Sequence, residues 1–311
     1  MARILVTGAA GFIGRALCTG LVERGHTVLG RTRRPADPIP GVELRPIGDI
    51  GPQTDWSEHL AAIEIVIHLA NRAHRPGGAV ASDTEPAAAA ALASAAAKAG
   101  VRRMVHMSSV RAMGDATQPG LPFSSADPRV PRDAYGSGKL AIERALQIAA
   151  RQTGLELIIL RPPLVYGPGV KANFRALLRL AASGLPLPLA GIDNRRSLIF
   201  LDNLVDVAAR ACTDHRAAGR VLLARDTVDW STPELIRTLA EGLGCAARLF
   251  TAPEGAFAAL RVLPGLGPLI KRLTLSLQVD DEATRALLDW LPPISSEIGL
   301  AATARAFRVR S

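Results

Sequence analysis

Arg3-Ile4-Leu5-Val6-Thr7-Gly8-Ala9-Ala10-Gly11-Phe12-Ile13-Gly14 joins two patterns across one turn. An aliphatic run ends at Thr7 and glycines follow at 8, 11 and 14. Apolar residues then recur at helical spacing through Phe12, Ile13, Ala16, Leu17 and Leu21. A strand, a tight glycine turn and a helix N-terminus in that order make a cradle for an anion. Backbone N–H groups and the positive end of the helix dipole face the charge. Glycine lets the main chain come close where a Cβ would collide. An ordinary βα turn also uses glycine, but the strand and helix patterns on either side favour a dinucleotide pyrophosphate. Gly8, Gly11, Phe12, Ile13 and Gly14 are therefore the first cofactor-binding candidates.

The next strand bears on which dinucleotide is held. The pattern predicts a strand over Thr27-Val28-Leu29, followed by Gly30-Arg31-Thr32-Arg33-Arg34-Pro35. An NAD-selective site usually places a carboxylate at the end of this strand, where it accepts from the adenosine ribose. No Asp or Glu occurs from Thr27 through Ala36, whereas Arg31, Arg33 and Arg34 suit a 2′-phosphate. NADP(H) is thus preferred over NAD(H), and a solvated basic loop is the non-functional alternative. Gly48-Asp49-Ile50 forms a turn where the Asp49 carboxylate can meet the adenine amino group. Ile63 to Leu69 reads as an apolar strand ending in His68-Leu69-Ala70-Asn71. Small residues at such a strand end let a cofactor lie close, which makes Leu69 and Ala70 candidates. His68 reads as a hydrogen-bonded structural histidine.

The chain has 311 residues, enough for one large domain or two small ones. Its net charge of +9 invites a nucleic-acid reading, but the arginines are scattered and aromatic residues make up only 4%. That is too sparse for base-stacking platforms, so no nucleic-acid partner is expected. Cys18, Cys212 and Cys245 lie far apart, without the spacing of a disulfide framework or a metal site. No apolar run reaches the length of a membrane span, and the N-terminus runs directly into the first strand. The expectation is a soluble protein of a reducing compartment, the cytoplasm.

Residues 86–99 are almost all alanine and predict a helix, with Pro86 in its first turn and Gly100 at its C-terminal cap. Arg103-Met104-Val105-His106-Met107-Ser108-Ser109 then predicts another buried strand. Strands alternate with helices, which implies right-handed βαβ units in a doubly wound, Rossmann-type parallel sheet. Tyr135 and Lys139 follow at i and i+4, on one face of a helix. A tyrosine titrates near pKa ~10, too high for acid–base work at neutral pH, and a neighbouring ammonium lowers it. Ser109, at a strand end, can hydrogen-bond the same substrate oxygen. Ser109, Tyr135 and Lys139 are the catalytic candidates.

Together these motifs resemble the extended short-chain dehydrogenase/reductases, the nucleotide-sugar epimerase/dehydratase/reductase family. The matching stretches are Thr7–Gly14, His68–Ala70, Ser108-Ser109, Tyr135-x-x-x-Lys139 and Arg161-Pro-Pro-Leu-Val-Tyr-Gly-Pro-Gly169, with weaker similarity as far as Trp290-x-Pro292-Pro293. The resemblance implies that Lys139 also holds the nicotinamide ribose and that backbone near Pro162 meets the carboxamide. It implies that Asn173 meets a nucleotide diphosphate and that Arg196 grips a phosphate. Asp202 and Asn203 are read mainly as a helix N-cap. Relatives usually carry an asparagine in the loop before residue 86, where Asp83, Thr84 and Glu85 stand here. The stretch 255–277 is expected to form a substrate-side lid, in preference to a membrane-surface helix.

The resemblance implies a dinucleotide-binding domain over residues 1–165. A smaller sugar-nucleotide lobe is expected mainly from 166–311, with some of its segments returning to the sheet. A homodimer is common among relatives. Dehydration needs carboxylates directly after the active-site hydroxyl, where Val110 and Arg111 stand. Val170 to Phe174, Gly184 to Ala190 and Ser276 to Asp280 look most like reductases of UDP-4-keto-6-deoxy-N-acetylhexosamine. The first expectation is therefore NAD(P)H-dependent 4-reduction of a UDP-2-acetamido-2,6-dideoxy-4-ketohexose. The product would be of the UDP-N-acetylquinovosamine type, for surface polysaccharide biosynthesis. A UDP-sugar 4-epimerase with retained NAD is the second, and a non-catalytic NADP(H)-binding regulatory module the third.

Overall fold

The computed structural model describes residues 1–70, 84–253, 255–261 and 267–309. Chain order runs β1 (Arg3–Thr7), α1 (Phe12–Glu23), β2 (Thr27–Thr32), β3 (Val42–Pro46), β4 (Ile65–His68), α2 (Thr84–Lys98) and β5 (Arg103–Met107). Next come α3 (Ala134–Thr153), β6 (Glu156–Arg161), β7 (Leu164–Tyr166), α4 (Ala172–Ala182), β8 (Leu198–Phe200) and α5 (Leu201–Thr213). The remainder is β9 (Val221–Leu223), α6 (Thr232–Gly242), α7 (Ala256–Arg261), α8 (Gly267–Thr274), α9 (Glu282–Leu288) and α10 (Ser296–Arg308).

Seven strands form one parallel sheet in the order β3-β2-β1-β4-β5-β6-β9. This is the expected doubly wound α/β fold. The order reverses beside β1, so a crevice opens at the C-terminal ends of β1 and β4, the usual ligand position in such sheets. Strands β4 and β5 are buried along their whole length, as a sheet covered on both faces requires. On one face Leu17, Cys18 and Leu21 of α1 pack with Leu204, Val207, Ala208 and Ala211 of α5 over Ile4, Val6, Ile65 and Ile67. On the other, Ala89, Leu92, Ala93 and Ala96 of α2 join Ile142, Leu146 and Ala149 of α3 over Leu5, Val66 and Met104. The alanines leave so little side chain that α2 lies close to both the sheet and α3.

A third cluster of buried residues, outside the large sheet, gathers around Tyr166, Phe174, Leu178, Phe200, Ile236, Leu239 and Leu300, where the smaller lobe is expected. The parallel pair β7–β8 lies at its root. Helix α6 begins with a capping box in which Ser231 and Glu234 satisfy one another's backbone N–H groups, with Pro233 in the first turn. The chain then returns to the first domain: β9 pairs with β6, and buried Leu288 and Trp290 join the core around α1 and α5.

Strand β2 is longer than its sequence suggests. It runs through Gly30 and Arg31 to Thr32, because β1 pairs with Thr27 to Arg31 on one side and β3 with Val28 to Thr32 on the other. Arg31 therefore lies inside the sheet with 1% of its surface exposed. Residues 71–83, which include most of the loop before residue 86, and 262–266, within the expected lid, lie outside the described residues.

Candidate active site

The glycine turn is shaped by contacts that leave no room for side chains. Gly8 has φ +75°, and a Cβ there would come within 3.0 Å of the Ala70 nitrogen. A Cβ on Gly14 would stand 2.2 Å from the Gly8 carbonyl oxygen and 2.9 Å from the Ala9 Cα. Helix α1 starts at Gly11 with no side-chain cap and no acidic residue in its first turn. Its first N–H groups and dipole are thus directed at the crevice, with Phe12 and Ile13 in that turn. Ala70 closes the crevice from β4, its N–H donating to Thr7 Oγ1 at 3.3 Å, and Leu69 packs against the core. These residues fit a dinucleotide pyrophosphate.

At the end of β2 the three arginines separate. Arg31 departs from its expected role: its Nε donates to His59 Nδ1 at 3.0 Å, and burial lowers its pKa. The strand carries it into the sheet, away from any phosphate beyond the strand end. Arg33 and Arg34 are exposed beyond the strand, as a phosphate contact needs. Asp49 is exposed and Ile50 half-buried just after Gly48, which takes φ +76°.

The catalytic candidates converge where β5 ends and α3 begins. Ser109 caps a single 3-10 turn, Val110–Ala112, by accepting from the Arg111 N–H at 3.2 Å. Asp133 caps α3 by accepting from the Gly136 N–H at 2.8 Å, which places Tyr135 in the first turn. Ser109 stands near enough to the Tyr135 phenol to lower its pKa. Lys139 is 6% exposed, and its Nζ donates to the Met107 carbonyl at 2.9 Å. Burial lowers the Lys139 pKa to about 8, against the raising influence of Glu85 and Glu143.

The electrostatics correct one expectation. Tyr135 is 39% exposed, yet burial around its hydroxyl raises the phenol pKa above 10. Ser109 and the charge of Arg111 oppose that rise, while Asp133 reinforces it. Lys139 is turned towards Met107, so Arg111 is the cation acting on the phenol.

Behind this surface lies an ion pair that sequence reading did not single out. Glu143 is fully buried and accepts from Arg161 Nε at 2.9 Å and Nη2 at 2.6 Å. It also accepts from Ser108 Oγ at 2.5 Å, so it joins α3 to the ends of β5 and β6. Pro162 follows Arg161 and is buried; its carbonyl accepts from the Val110 N–H at 3.0 Å. His68 accepts or donates at Thr7 Oγ1 at 2.8 Å and stacks on His106, with ring centroids 5.5 Å apart. Burial, with Lys139 nearby, lowers its pKa to about 4, so it is neutral at physiological pH.

The smaller lobe supplies positive charge. Arg196 Nη1 donates to the Leu275 carbonyl at 2.8 Å, and burial, with Arg111 and Arg272 adding repulsion, lowers its pKa to about 10. Arg272 on α8 donates to Asn173 Oδ1 at 2.8 Å. Arg272 thus joins Asn173 and Arg196 in one basic cluster, and among the described residues the hydrogen bonds of both arginines go to neutral oxygens. A dianion would balance them. Asp202 and Asn203 fall inside α5, whose cap position is Phe200, so neither is the N-cap. Asn203 instead donates to buried Asp226 at 2.7 Å and to the Ile294 carbonyl at 2.8 Å. Among the described residues no cluster of His, Cys, Asp and Glu could hold a metal ion, and no helix is long and apolar enough to cross a membrane.

The profile described as "NAD dependent epimerase/dehydratase family" matches residues 4–223. A "UDP-glucose 4-epimerase" of Vibrio cholerae is 37% identical, covering 98% of this chain and 95% of its own length. Among solved structures, "MoeE5 in complex with UDP-glucuronic acid and NAD" superposes with a TM-score of 0.76 at 26% identity, covering 99% of this chain and 100% of that one. A UDP-N-acetylglucosamine 4-epimerase from Bacillus cereus superposes with a TM-score of 0.78 at 19% identity, covering 100% of this chain and 99% of that one, which speaks to the fold alone.

Proposed function

Because the chain belongs to the NAD dependent epimerase/dehydratase family, we propose that it catalyses hydride transfer at C4 of a UDP-linked sugar. The observation that carries this reading is the gathering of Ser109, Tyr135 and Lys139 at one end of the sheet, beside Arg196 and Arg272, whose hydrogen bonds among the described residues go to neutral oxygens. One side can move a proton at a sugar hydroxyl; the other can balance a diphosphate. Gly8, Gly11, Gly14 and the start of α1 would hold a nicotinamide dinucleotide, which would supply or accept the hydride.

Tyr135 Oη donates the proton to the sugar O4 as the carbonyl is reduced, and takes it back in the oxidative direction. Ser109 Oγ holds the same O4 in line with the phenol. Lys139, still largely protonated near neutral pH and anchored on the Met107 carbonyl, would hold the nicotinamide ribose. Arg196 and Arg272 neutralise the diphosphate and Asn173 orients it, so the sugar is delivered to Tyr135 at a fixed distance.

We favour reduction of a UDP-2-acetamido-2,6-dideoxy-4-ketohexose by NADPH. Exposed Arg33 and Arg34, with no carboxylate on β2, support a 2′-phosphate and a cofactor that leaves after each turnover. The identity to the Vibrio cholerae protein favours a second reading, a UDP-sugar 4-epimerase that retains NAD. The deciding assay follows NADPH and NADH oxidation with the 4-ketosugar, beside interconversion of UDP-hexose pairs by the protein as isolated. Stoichiometric NADPH oxidation with a product reduced at C4 supports the reductase. Interconversion without added cofactor refutes it and supports the epimerase. In either case Tyr135→Phe abolishes turnover and spares dinucleotide binding; a variant that keeps most of its activity refutes the role of Tyr135.

A further inference from the structure

We propose that Arg111 is a positioning residue for Tyr135: it clamps the start of α3 to the end of β5 through its main chain and its guanidinium together. This rests on the reading of Tyr135 as the proton carrier. Three contacts form the clamp. The Arg111 N–H donates to Ser109 Oγ at 3.2 Å, which ties the serine to the same turn. The Arg111 carbonyl lies under the first turn of α3 so closely that a Cβ on Gly136 would stand 2.2 Å from its oxygen. The guanidinium pairs through Nη2 with Asp133 Oδ2, while Asp133 Oδ1 accepts from the Gly136 N–H at 2.8 Å. The residues on both sides of Tyr135 are therefore tied to Arg111.

The charges around the phenol come from several elements. Arg111 stands on the 3-10 turn and Asp133 at the helix cap. Lys139 lies one turn along α3 and is directed at Met107, and Arg196 approaches from the smaller lobe, where it feels Arg111. Because the clamp is an ion pair beside the hydroxyl, its two halves act on the phenol with opposite sign: Arg111 favours the phenolate and Asp133 opposes it.

The chain offers a direct readout, because it contains two tyrosines. Tyr166 is fully buried, donates to Asp226 at 2.7 Å, and is held far above the usual phenol range by burial and that carboxylate. The first phenolate to form on raising the pH is therefore that of Tyr135. Stopped-flow alkaline jumps on the intact chain, read by phenolate absorbance before unfolding begins, isolate it, and Tyr135→Phe supplies the blank. Arg111→Gln moves this transition to higher pH and Asp133→Asn moves it to lower pH. Asparagine remains a good helix cap, so the second variant retains the fold. The double variant returns the transition towards its starting place. If neither single variant moves it, or both move it in one direction, the proposal is overturned. Should Arg111→Gln fail to fold, Asp133→Asn decides alone, since an unchanged or raised transition refutes the clamp. No substrate enters this titration, so its outcome is independent of whether the sugar chemistry proposed above is correct.

Discussion

Replacing Glu143 by glutamine tests how α3 is held in place. Glu143 is fully buried, and Arg161, with 1% exposed, gives it two hydrogen bonds. Glutamine keeps the volume and an oxygen for Ser108 but leaves the guanidinium buried without its counter-charge. Removing one partner of such a pair costs about 3–5 kcal/mol. Against a total stability of about 5–15 kcal/mol, that is a large share. Replacing both partners, as in Glu143→Leu with Arg161→Met, removes the unpaired charge together with the pair. Such replacements are often neutral or stabilising, by about 1–4 kcal/mol. The double variant is therefore expected to be more stable than Glu143→Gln alone. Urea unfolding followed by far-ultraviolet circular dichroism gives each midpoint and slope, and comparable slopes allow the free energies to be compared. A loss below about 1 kcal/mol for Glu143→Gln, in the range of an exposed pair, would refute the argument. So would a double variant less stable than the single one.

Gly14→Ala places a methyl against the Gly8 carbonyl, so the cradle must open; dinucleotide affinity is expected to fall by tenfold or more, about 1.4 kcal/mol, with helix content unchanged in circular dichroism. Arg196→Met removes a charged donor, and by analogy with hydrogen bonds to charged groups, worth about 1.5–3 kcal/mol, it should weaken UDP binding by roughly ten- to a hundredfold in calorimetry while sparing NADPH. Lys139 gives a pH signature, since its pKa falls from 10.5 to about 8 on folding. Between these values the unfolded chain carries a proton that the folded one has released, so stability from this group rises with pH across the interval. The gain is on the order of 2 kcal/mol. It should appear as a difference between wild type and Lys139→Met in unfolding measured from pH ~8 to ~10; parallel curves would show that Lys139 is not desolvated.

What could be read in advance was local. The strand, glycine turn and helix at 3–23 depend on residues next to one another, and so do the Tyr135–Lys139 spacing and the methyl-faced α2. The missed features depend on distance along the chain. Arg272 meets Asn173 across 99 residues, and its own apolar stretch carries no motif to suggest it. Arg161 meets Glu143 across 18 residues, where each looks like an ordinary charged residue at an element's edge. Arg31 was misplaced because Gly30 and Arg31 are poor strand formers by themselves, and pairing with β1 and β3 overrides that preference. Arg111 was noticed only as a position lacking a carboxylate; its clamp becomes visible once Asp133 and Gly136 stand against it.

The return of β9 to the edge of β6 has a consequence for how the protein is made. During synthesis β6 leaves the ribosome about sixty residues before its neighbour, so its outer edge stays unpaired while the smaller lobe is still emerging. An unpaired strand edge is a template for pairing with another chain. Helix α5 (Leu201–Thr213), which covers Ile4, Val6 and Ile65, is likewise missing for about the first forty residues of that interval. A fragment ending before residue 198 would therefore lack both its edge partner and the cover of one sheet face. The nascent dinucleotide-binding half depends on the later half for protection, so a stall between β6 and β9 would be the stage of synthesis most exposed to aggregation.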